Sequence, residues 1–422
     1  MNSVAVKPAY TLVVFWTSLV PLVYFASNGR LWFQSAADNN ALSSQYGSLV
    51  TQSQKSQNLA VTAVVFTIVL ALLLPKLTII LQMLRKDVVF GALVGLSMAS
   101  SLWSQFPERS LQWSMFLALD TAFIFYLHQR FTHEQTMQLL FLVGWVCLVV
   151  SIILALCFPA FGIDHTLSTP SWRGLYGQKN LCAMATVFWL SLAFYLPARS
   201  FIAKSARAVY ICLSVALIVM TRSTTSDVVL GVLVAYVLAT RMIQRFQFRD
   251  RIVTVLAASI AAISLLAAMI VNWTELAYLL GKDPTLTGRI GIWQAAWTSL
   301  MKHPLLGYGY RAFWEGYQGE SANVALANGW AVTSAHNAFL GVWLDLGALG
   351  LAVVVYSLVR AVSQVLANLC THASSYLGWC ACIVFLTIVM SIDEGEMMIP
   401  NGLLWMLFML ASLGLLEKNN NA

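Results

Sequence analysis

Charge is what this sequence has least of. Asp, Glu, Lys and Arg make up 10% of its 422 residues and hydrophobic residues 59%, whereas a water-soluble domain carries about 25% charged and about 45–50% apolar residues. The shortage excludes a water-facing surface for most of the chain. A disulfide framework is not indicated either. Cys147, Cys157, Cys182, Cys212, Cys380 and Cys382 lie in apolar runs and Cys370 between two of them, so no pair falls in a polar outer segment. Acidic metal patterns are missing as well. The chain has no outer Asp-x-Asp, no His-x-x-x-His and no Glu-x-x-His, and neither a metal nor another cofactor is expected. No continuous basic stripe accompanies the net charge of +7, so nucleic acid is not an expected partner. The first apolar run is too long for a signal-peptide core and no small-residue cleavage pattern follows it, so it is expected to stay as an anchor.

What is present is apolar sequence in blocks of roughly 17–22 residues, enough for a helix to cross a hydrocarbon core of about 30 Å. The blocks fall near 9–26, 59–81, 88–104, 111–127, 136–157, 180–197, 208–221, 226–240, 252–271, 337–358, 374–391 and 401–416. They predict an all-α, polytopic integral membrane protein of about twelve transmembrane helices, with one membrane domain over 1–422. Pro75 and Lys76 interrupt the second block, so its helix is expected to stop at Leu74, with 77–84 along the interface. With the N-terminus inside, inner segments hold fourteen Lys and Arg; outer segments hold ten, or six without the long outer loop. Long loops cross largely regardless of charge, so the bias predicts both termini on the cytoplasmic side of a bacterial inner membrane.

Two outer loops are long: 27–58, rich in Ser, Gln and Asn, and 272–335, between the ninth and tenth spans. In the second, Ile290, Trp293, Trp297, Leu300 and Met301 recur at helical spacing and predict one amphipathic helix, which His303-Pro304 ends. Gly307-Tyr308-Gly309-Tyr310 then permits a tight turn or a close approach to a ligand. An ordered loop of this length is usually functional.

Several polar groups need a reason. Arg222 lies between two apolar runs, where a guanidinium is costly and commonly functional; the plainer alternative is a hairpin whose Arg reaches outward or pairs with Asp227. Arg289 begins the amphipathic helix and by itself reads as a surface residue. Arg173 and Lys179 bracket two glycines just ahead of the span that opens at Asn180, which suits an anion beside a helix start or an interfacial anchor. His336-Asn337 stands where the long loop re-enters the membrane. A lone His there is more often an interface residue than a catalyst. Glu396, in the acidic cluster 393–396, either caps a helix in solvent or orients an acceptor sugar. Tyr308, Tyr310 and Trp314 offer faces that suit sugar rings, although Trp and Tyr belts are routine at membrane interfaces. Asp120 and Asp345 lie within spans and are expected to pair with polar groups in the bundle.

Four segments, in order, resemble the bacterial O-antigen ligase and polysaccharide polymerase superfamily, in particular its exopolysaccharide (Wzy-type) polymerase branch. They are Ser101-Leu102-Trp103-Ser104 with Pro107; Arg173-Gly174-Leu175-Tyr176-Gly177-Gln178-Lys179-Asn180; Thr221-Arg222-Ser223; and the long loop. The loop contributes Leu286-Thr287-Gly288-Arg289, Trp293, His303 to Tyr310, Phe313-Trp314 and Ser334-Ala335-His336-Asn337, followed by Leu346-Gly347 and Gly350. The likeness covers roughly residues 85–416. It implies a glycosyltransferase acting outside the inner membrane on a polyprenyl-diphosphate-linked oligosaccharide. Carried over residue by residue, Arg222 and Arg289 engage the diphosphate, and His336 is the family's loop-end histidine.

The chemistry agrees with that implication. Such a donor brings its own leaving group and needs charge stabilisation, which fixed guanidiniums supply bidentately. Arginine then stands in for a divalent cation. The expectation is an inverting, metal-independent polymerase of repeat units for exopolysaccharide, with His336, Arg222 and Arg289 catalytic. Nearby cations are expected to keep His336 neutral and able to accept a proton. Arg173, Lys179, Asn180, Asn337, Tyr308, Tyr310, Trp314 and Glu396 are the expected substrate-binding residues. Membrane lipid, a flippase and a chain-length regulator are the expected partners beside the lipid-linked oligosaccharide. Two other readings stay open. One is a ligase that moves glycan from polyprenyl diphosphate to lipid or protein. The other is a transporter of the same lipid-linked sugar, although no matching halves are seen.

Overall fold

The computed structural model describes residues 12–27, 47–76, 78, 87–164, 170–243, 250, 275, 288–369, 374–393 and 397–419. Helix is the dominant element, because a chain in lipid must satisfy its own backbone groups within each segment. In chain order the helices are α1 (Leu12–Ala26), α2 (Gly47–Leu73), α3 (Val88–Ala99), α4 (Pro107–Arg130), α5 (His133–Cys157) and the single turn α6 (Pro159–Gly162). Then come α7 (Lys179–Tyr195), α8 (Phe201–Thr221), α9 (Thr224–Ile243), α10 (Arg289–Leu300), α11 (Ser321–Asn328), α12 (Ala338–Leu369), α13 (Ser375–Asp393) and α14 (Leu403–Asn419). One short antiparallel pair, Ile163–Asp164 with Ser171–Trp172, follows α6.

Local chemistry sets several helix ends. Asp87 accepts from the Val89 amide at 3.2 Å and opens α3; Thr132 and Gln135 form a capping box on α5; Ser200 accepts from the Ala203 amide at 3.1 Å and opens α8. Pro107 takes the first turn of α4, where its missing N–H costs nothing. Pro75 acts as expected: α2 ends at Leu73 and Leu74–Lys76 tighten into a 3-10 turn.

Among the described residues, six helices are long and apolar enough to cross a membrane: Pro107–Arg130, His133–Cys157, Phe201–Thr221, Thr224–Ile243, Ala338–Asn368 and Ser375–Ile392. Shorter apolar helices cover Val13–Ala26, Ala60–Lys76, Val88–Leu102 and Leu403–Glu417. The chain is an all-α, multi-pass membrane protein. The expected span at 252–271 and, apart from Thr78, the interfacial segment 77–84 lie outside the described residues. The first polar loop is shorter than expected. α2 already begins at Gly47, inside the 27–58 segment, because Ser and Gln tolerate a helix that an adjoining apolar stretch stabilises.

Two helices form the centre of the bundle. Cys182 to Ala193 of α7 and Leu403 to Leu413 of α14 are buried on every side, as expected of helices apolar all round. α14 packs on α13, α4 and α12. At one end of the bundle the His133 Nε2 meets a Glu417 carboxylate oxygen at 2.9 Å, and the imidazole stacks on Tyr376 at 4.1 Å. This contact joins the starts of α5 and α13 to the end of α14. A second clamp ties α3 to α12. Both Arg360 guanidinium nitrogens donate to Asp87, at 2.9 and 2.8 Å, under the ring of Phe90.

The segment from α10 to the start of α12 carries a hydrophobic core of its own. Ile292, Ala296, Leu300, Tyr308, Phe313, Val324, Val332 and Leu344 form it. The buried face of α10 therefore differs from the expected stripe: Ile292, Ala296, Ser299 and Leu300 point inward, while Trp297 and Met301 are about half exposed. Helical spacing alone cannot distinguish a face turned toward a small core from one turned toward an interface. The short helix α11 in the Ala- and Asn-rich stretch was not anticipated. α12 is broken: Gly347 has φ 68° and ψ −170° inside it.

Candidate functional site

The site is assembled around residues 304–312, which run between two other pieces of the chain. On one side lies the turn from α3 to α4. Trp103 Nε1 donates to the Leu306 carbonyl at 2.9 Å, the Gln105 amide to that of Tyr308 at 3.1 Å, and Ser110 Oγ to that of Tyr310 at 2.9 Å. The Tyr310 amide in turn donates to Ser100 Oγ at 2.9 Å. On the other side lies the break in α12. The Tyr308 amide donates to the Leu344 carbonyl at 2.8 Å, the Gly309 amide to that of Asp345 at 2.9 Å, and the Ala348 amide to the Pro304 carbonyl at 2.9 Å. Backbone groups released by the broken helix are thus re-satisfied by the loop. Glycine is required at these crossings. A Cβ on Gly347 would overlap the Leu305 carbonyl, and one on Gly309 would overlap Ser104; both positions have positive φ.

The segments that bear Arg289 and His336 dock on one another beside this cradle. Gly288, at φ 84°, caps α10 and Arg289 is its first residue. Further along α10, Trp293 Nε1 donates to the Ala335 carbonyl at 2.8 Å, which docks the helix on the residue before His336. Asn337 caps α12, its Oδ1 accepting from the Leu340 amide at 2.9 Å, while its Nδ2 donates to the Ile392 carbonyl at the end of α13, also at 2.9 Å.

Arg222 and Lys179 reach the same end of the bundle by another route. Lys179 opens α7, and its Nζ donates to the Arg222 carbonyl at 3.5 Å. At the far end of α7 Arg241 donates to the Phe194 carbonyl at 3.0 Å, so α7 and α9 run in parallel. Tyr195 meets Thr240 and Cys382, and Tyr236 stacks on Phe385 at 4.5 Å. α13 therefore rises as α9 descends, and finishes at the end that holds Lys179 and Arg222. Asn180, half-buried, follows Lys179 in the first turn of α7. Arg222 is exposed, the left-handed residue (φ 53°) between α8 and α9.

Three expected ligand-binding residues have polar tips bonded to backbone carbonyls. Arg173 is 2% exposed, and its Nε donates to the Phe161 carbonyl at 2.8 Å. The Tyr308 hydroxyl donates to the Ser299 carbonyl at 2.6 Å, and that of Tyr310 to the Met398 carbonyl. A buried donor without a partner is costly, so polar tips inside a core are taken up by carbonyls. Burial, and then the charge of Glu320, pushes the Tyr308 hydroxyl up to about 12; burial raises that of Tyr310 well above the usual range. Glu396 lies outside the described residues.

Beside His336 is a cleft open to solvent. Its walls include Tyr310, Trp314 and Asn337, all expected, together with Arg311, Gly341 and Asp345, which were not read as site residues. Two signals were available. Arg311 directly follows the Gly-Tyr-Gly-Tyr turn, and Asp345 stands two residues before a glycine that interrupts an apolar run. Nearby, burial raises the Glu315 carboxyl against the opposing pull of Arg109, whose guanidinium donates to it at 2.7 Å. Glu320 is partly buried, but hydrogen bonds from Lys302, Asn323 and Ser299 outweigh that and lower its pKa.

Residues 209–355 match the family described as O-Antigen ligase. Over 228 residues the chain is 26% identical to the exopolysaccharide production protein ExoQ of Rhizobium meliloti (strain 1021). The chain is thus similar to O-antigen ligases in one stretch and to an exopolysaccharide production protein over about half its length. The aligned part is 50% of this chain and 51% of ExoQ, so the chain spans about half the length of the curated relative it matches. The family match takes in Arg222, Arg289, His336, Asn337 and most of the cleft wall, and leaves Arg173, Lys179 and Asn180 outside it.

Proposed function

We propose that this protein polymerises polyprenyl-diphosphate-linked oligosaccharide units on the outer face of the inner membrane, by inverting glycosyl transfer. The observation that carries the reading is the docking of α10 on the residue before His336, within a stretch that matches the O-antigen ligase family. Arg222 and Arg289 hold the donor diphosphate. A hydroxyl of the acceptor glycan attacks the anomeric carbon from the face opposite the diphosphate. The new C–O bond forms as the bond to the diphosphate oxygen breaks, and the electron pair leaves with the polyprenyl diphosphate. His336 takes the proton of the attacking hydroxyl, and Lys179 supports the phosphate charge. Guanidiniums set in place beforehand stabilise charge where it develops in the transition state.

The test uses the full chain in membranes supplied with lipid-linked repeat units. His336→Ala, Arg222→Ala and Arg289→Ala are each expected to lower polymer yield by about 10²–10³-fold. Near-normal yield from any one removes that residue from the role. A ladder of products supports polymerisation. A second reading, transfer of a finished glycan to a foreign acceptor, is favoured by the family's own description as O-Antigen ligase; a single transfer without a ladder would establish it instead.

A further inference from the structure

The cleft beside His336 is not needed to hold the diphosphate, and its composition points elsewhere. We infer that it binds an uncharged pyranose ring of the acceptor glycan, with Trp314 as its platform and Arg311 and Asp345 as partners for its hydroxyls. The inference rests on the transferase reading above and names the substrate class of the second subsite.

Three observations lead there. The first is charge. Among the described residues the wall holds one guanidinium, Arg311, and one buried carboxyl, Asp345, so these offer no net attraction to a phosphate, and the carboxylate opposes one. A neutral ring, by contrast, uses both: guanidinium N–H groups donate to hydroxyl oxygens and a carboxylate accepts from hydroxyls. The second is shape and polarity. Trp314 is half-buried and held edge-to-face on the buried Phe313 at 4.8 Å, with Met397 and Met398 on the wall as well. Apolar faces beside a few polar groups suit a sugar ring.

The third observation is backbone conformation. Among the described residues the non-glycine positions with positive φ are Arg222, Arg311, His336, Met398 and Asn401. Two of them are proposed catalytic residues, and Arg311 and Met398 line the cleft. Conformations that side chains rarely adopt persist where surrounding structure imposes them, and they cluster at functional sites. Here the surroundings are explicit. Tyr310 holds Met398 through its hydroxyl, and the Gly309 amide holds the Asp345 carbonyl.

The experiment is saturation-transfer NMR on the full chain purified in detergent. Its probes are cellobiose, maltose and lactose, with glucuronic acid and inorganic pyrophosphate as anionic arms. At least one neutral disaccharide is expected to bind. Gly341→Leu should reduce its signal at least fivefold, because Gly341 lines the cleft and a Cβ there meets nothing within 4 Å. Trp314→Ala and Asp345→Asn should reduce it comparably, and Gly231→Leu, at another open position, should not. Undiminished sugar binding in Gly341→Leu and Trp314→Ala overturns the inference. So does the absence of any neutral disaccharide signal, or its displacement by glucuronic acid or pyrophosphate. Arg222→Ala and Arg289→Ala should lose pyrophosphate binding and keep that of the sugar. If instead pyrophosphate binding survives both, the diphosphate clamp fails and the sugar subsite is left standing.

Discussion

The two arginines proposed to hold the diphosphate sit in unlike surroundings. Arg289 begins a helix that buries Ile292, Ala296 and Leu300 in a separate small core and is stitched to the start of α12. Arg222 stands at the tip of the α8–α9 hairpin, whose two spans are each only 22% buried, against 61% for α13. Its turn is held by a Ser223–Ser226 hydroxyl contact at 3.2 Å and a long bond from Lys179. Local opening costs least where few apolar contacts are buried. One side of the proposed clamp is therefore set by a packed cap, and the other by a turn between two less buried spans.

The comparison predicts unequal sensitivity to substitution. The largest effect belongs to the cap. Gly347→Ala forces a side chain against the Leu305 carbonyl at a backbone conformation reserved for glycine, a strain of about 1–3 kcal/mol before any clash is relieved. Polymer synthesis should fall at least about tenfold, since a misplacement of about 1 Å can cost more, and thermal unfolding in detergent should move down. Gly231→Ala in the hairpin meets open space and should be neutral or stabilising by about 0.5–1 kcal/mol. Equal responses from the two glycines would erase the distinction.

A smaller effect follows from Tyr308. Its hydroxyl is raised to about 12 in the folded cap, whereas an unfolded tyrosine ionises at about 10. The neutral form is favoured by folding, so this stability is complete below pH about 10 and is lost as pH rises through about 12. Amide exchange at 304–310 should quicken in that window, and Tyr308→Phe should remove the dependence at a cost of about 1 kcal/mol. Exchange with no extra pH response there would show that the hydroxyl does not hold the cap. The smallest effect is that of Lys302→Ala. Its bond to Glu320 is 2.5 Å, but the lysine is half exposed, and such pairs contribute about 0–1 kcal/mol. A loss well above that in a denaturant titration would mean the cap depends on this pair.

Much of this contrast could be read from residue order, and some could not. Pro75 ended its helix, and α10 formed where a helical apolar repeat stood and stopped at Leu300, ahead of His303-Pro304, because these signals act within a turn or two of chain; which face of α10 is buried could not be read. The partners of Arg173, Tyr308 and Tyr310 could not be read. Their types suit a ligand and a buried carbonyl equally, and the choice depends on carbonyls of Phe161, Ser299 and Met398 supplied by other segments. Arg311 and Asp345 could not be read as cleft residues for the same reason: they are 34 positions apart in the chain and line one cleft only because the loop pairs with the break in α12.

Charge scarcity and the length of the apolar runs determined by themselves that this is a helical membrane protein, since lipid leaves the backbone no other partner than its own helix. The motifs likewise pointed to the segments proposed to carry the chemistry. Only the tertiary structure decided which polar side chains are available to a substrate. Burial depends on what packs against a residue from far away in the chain, and no local pattern encodes that.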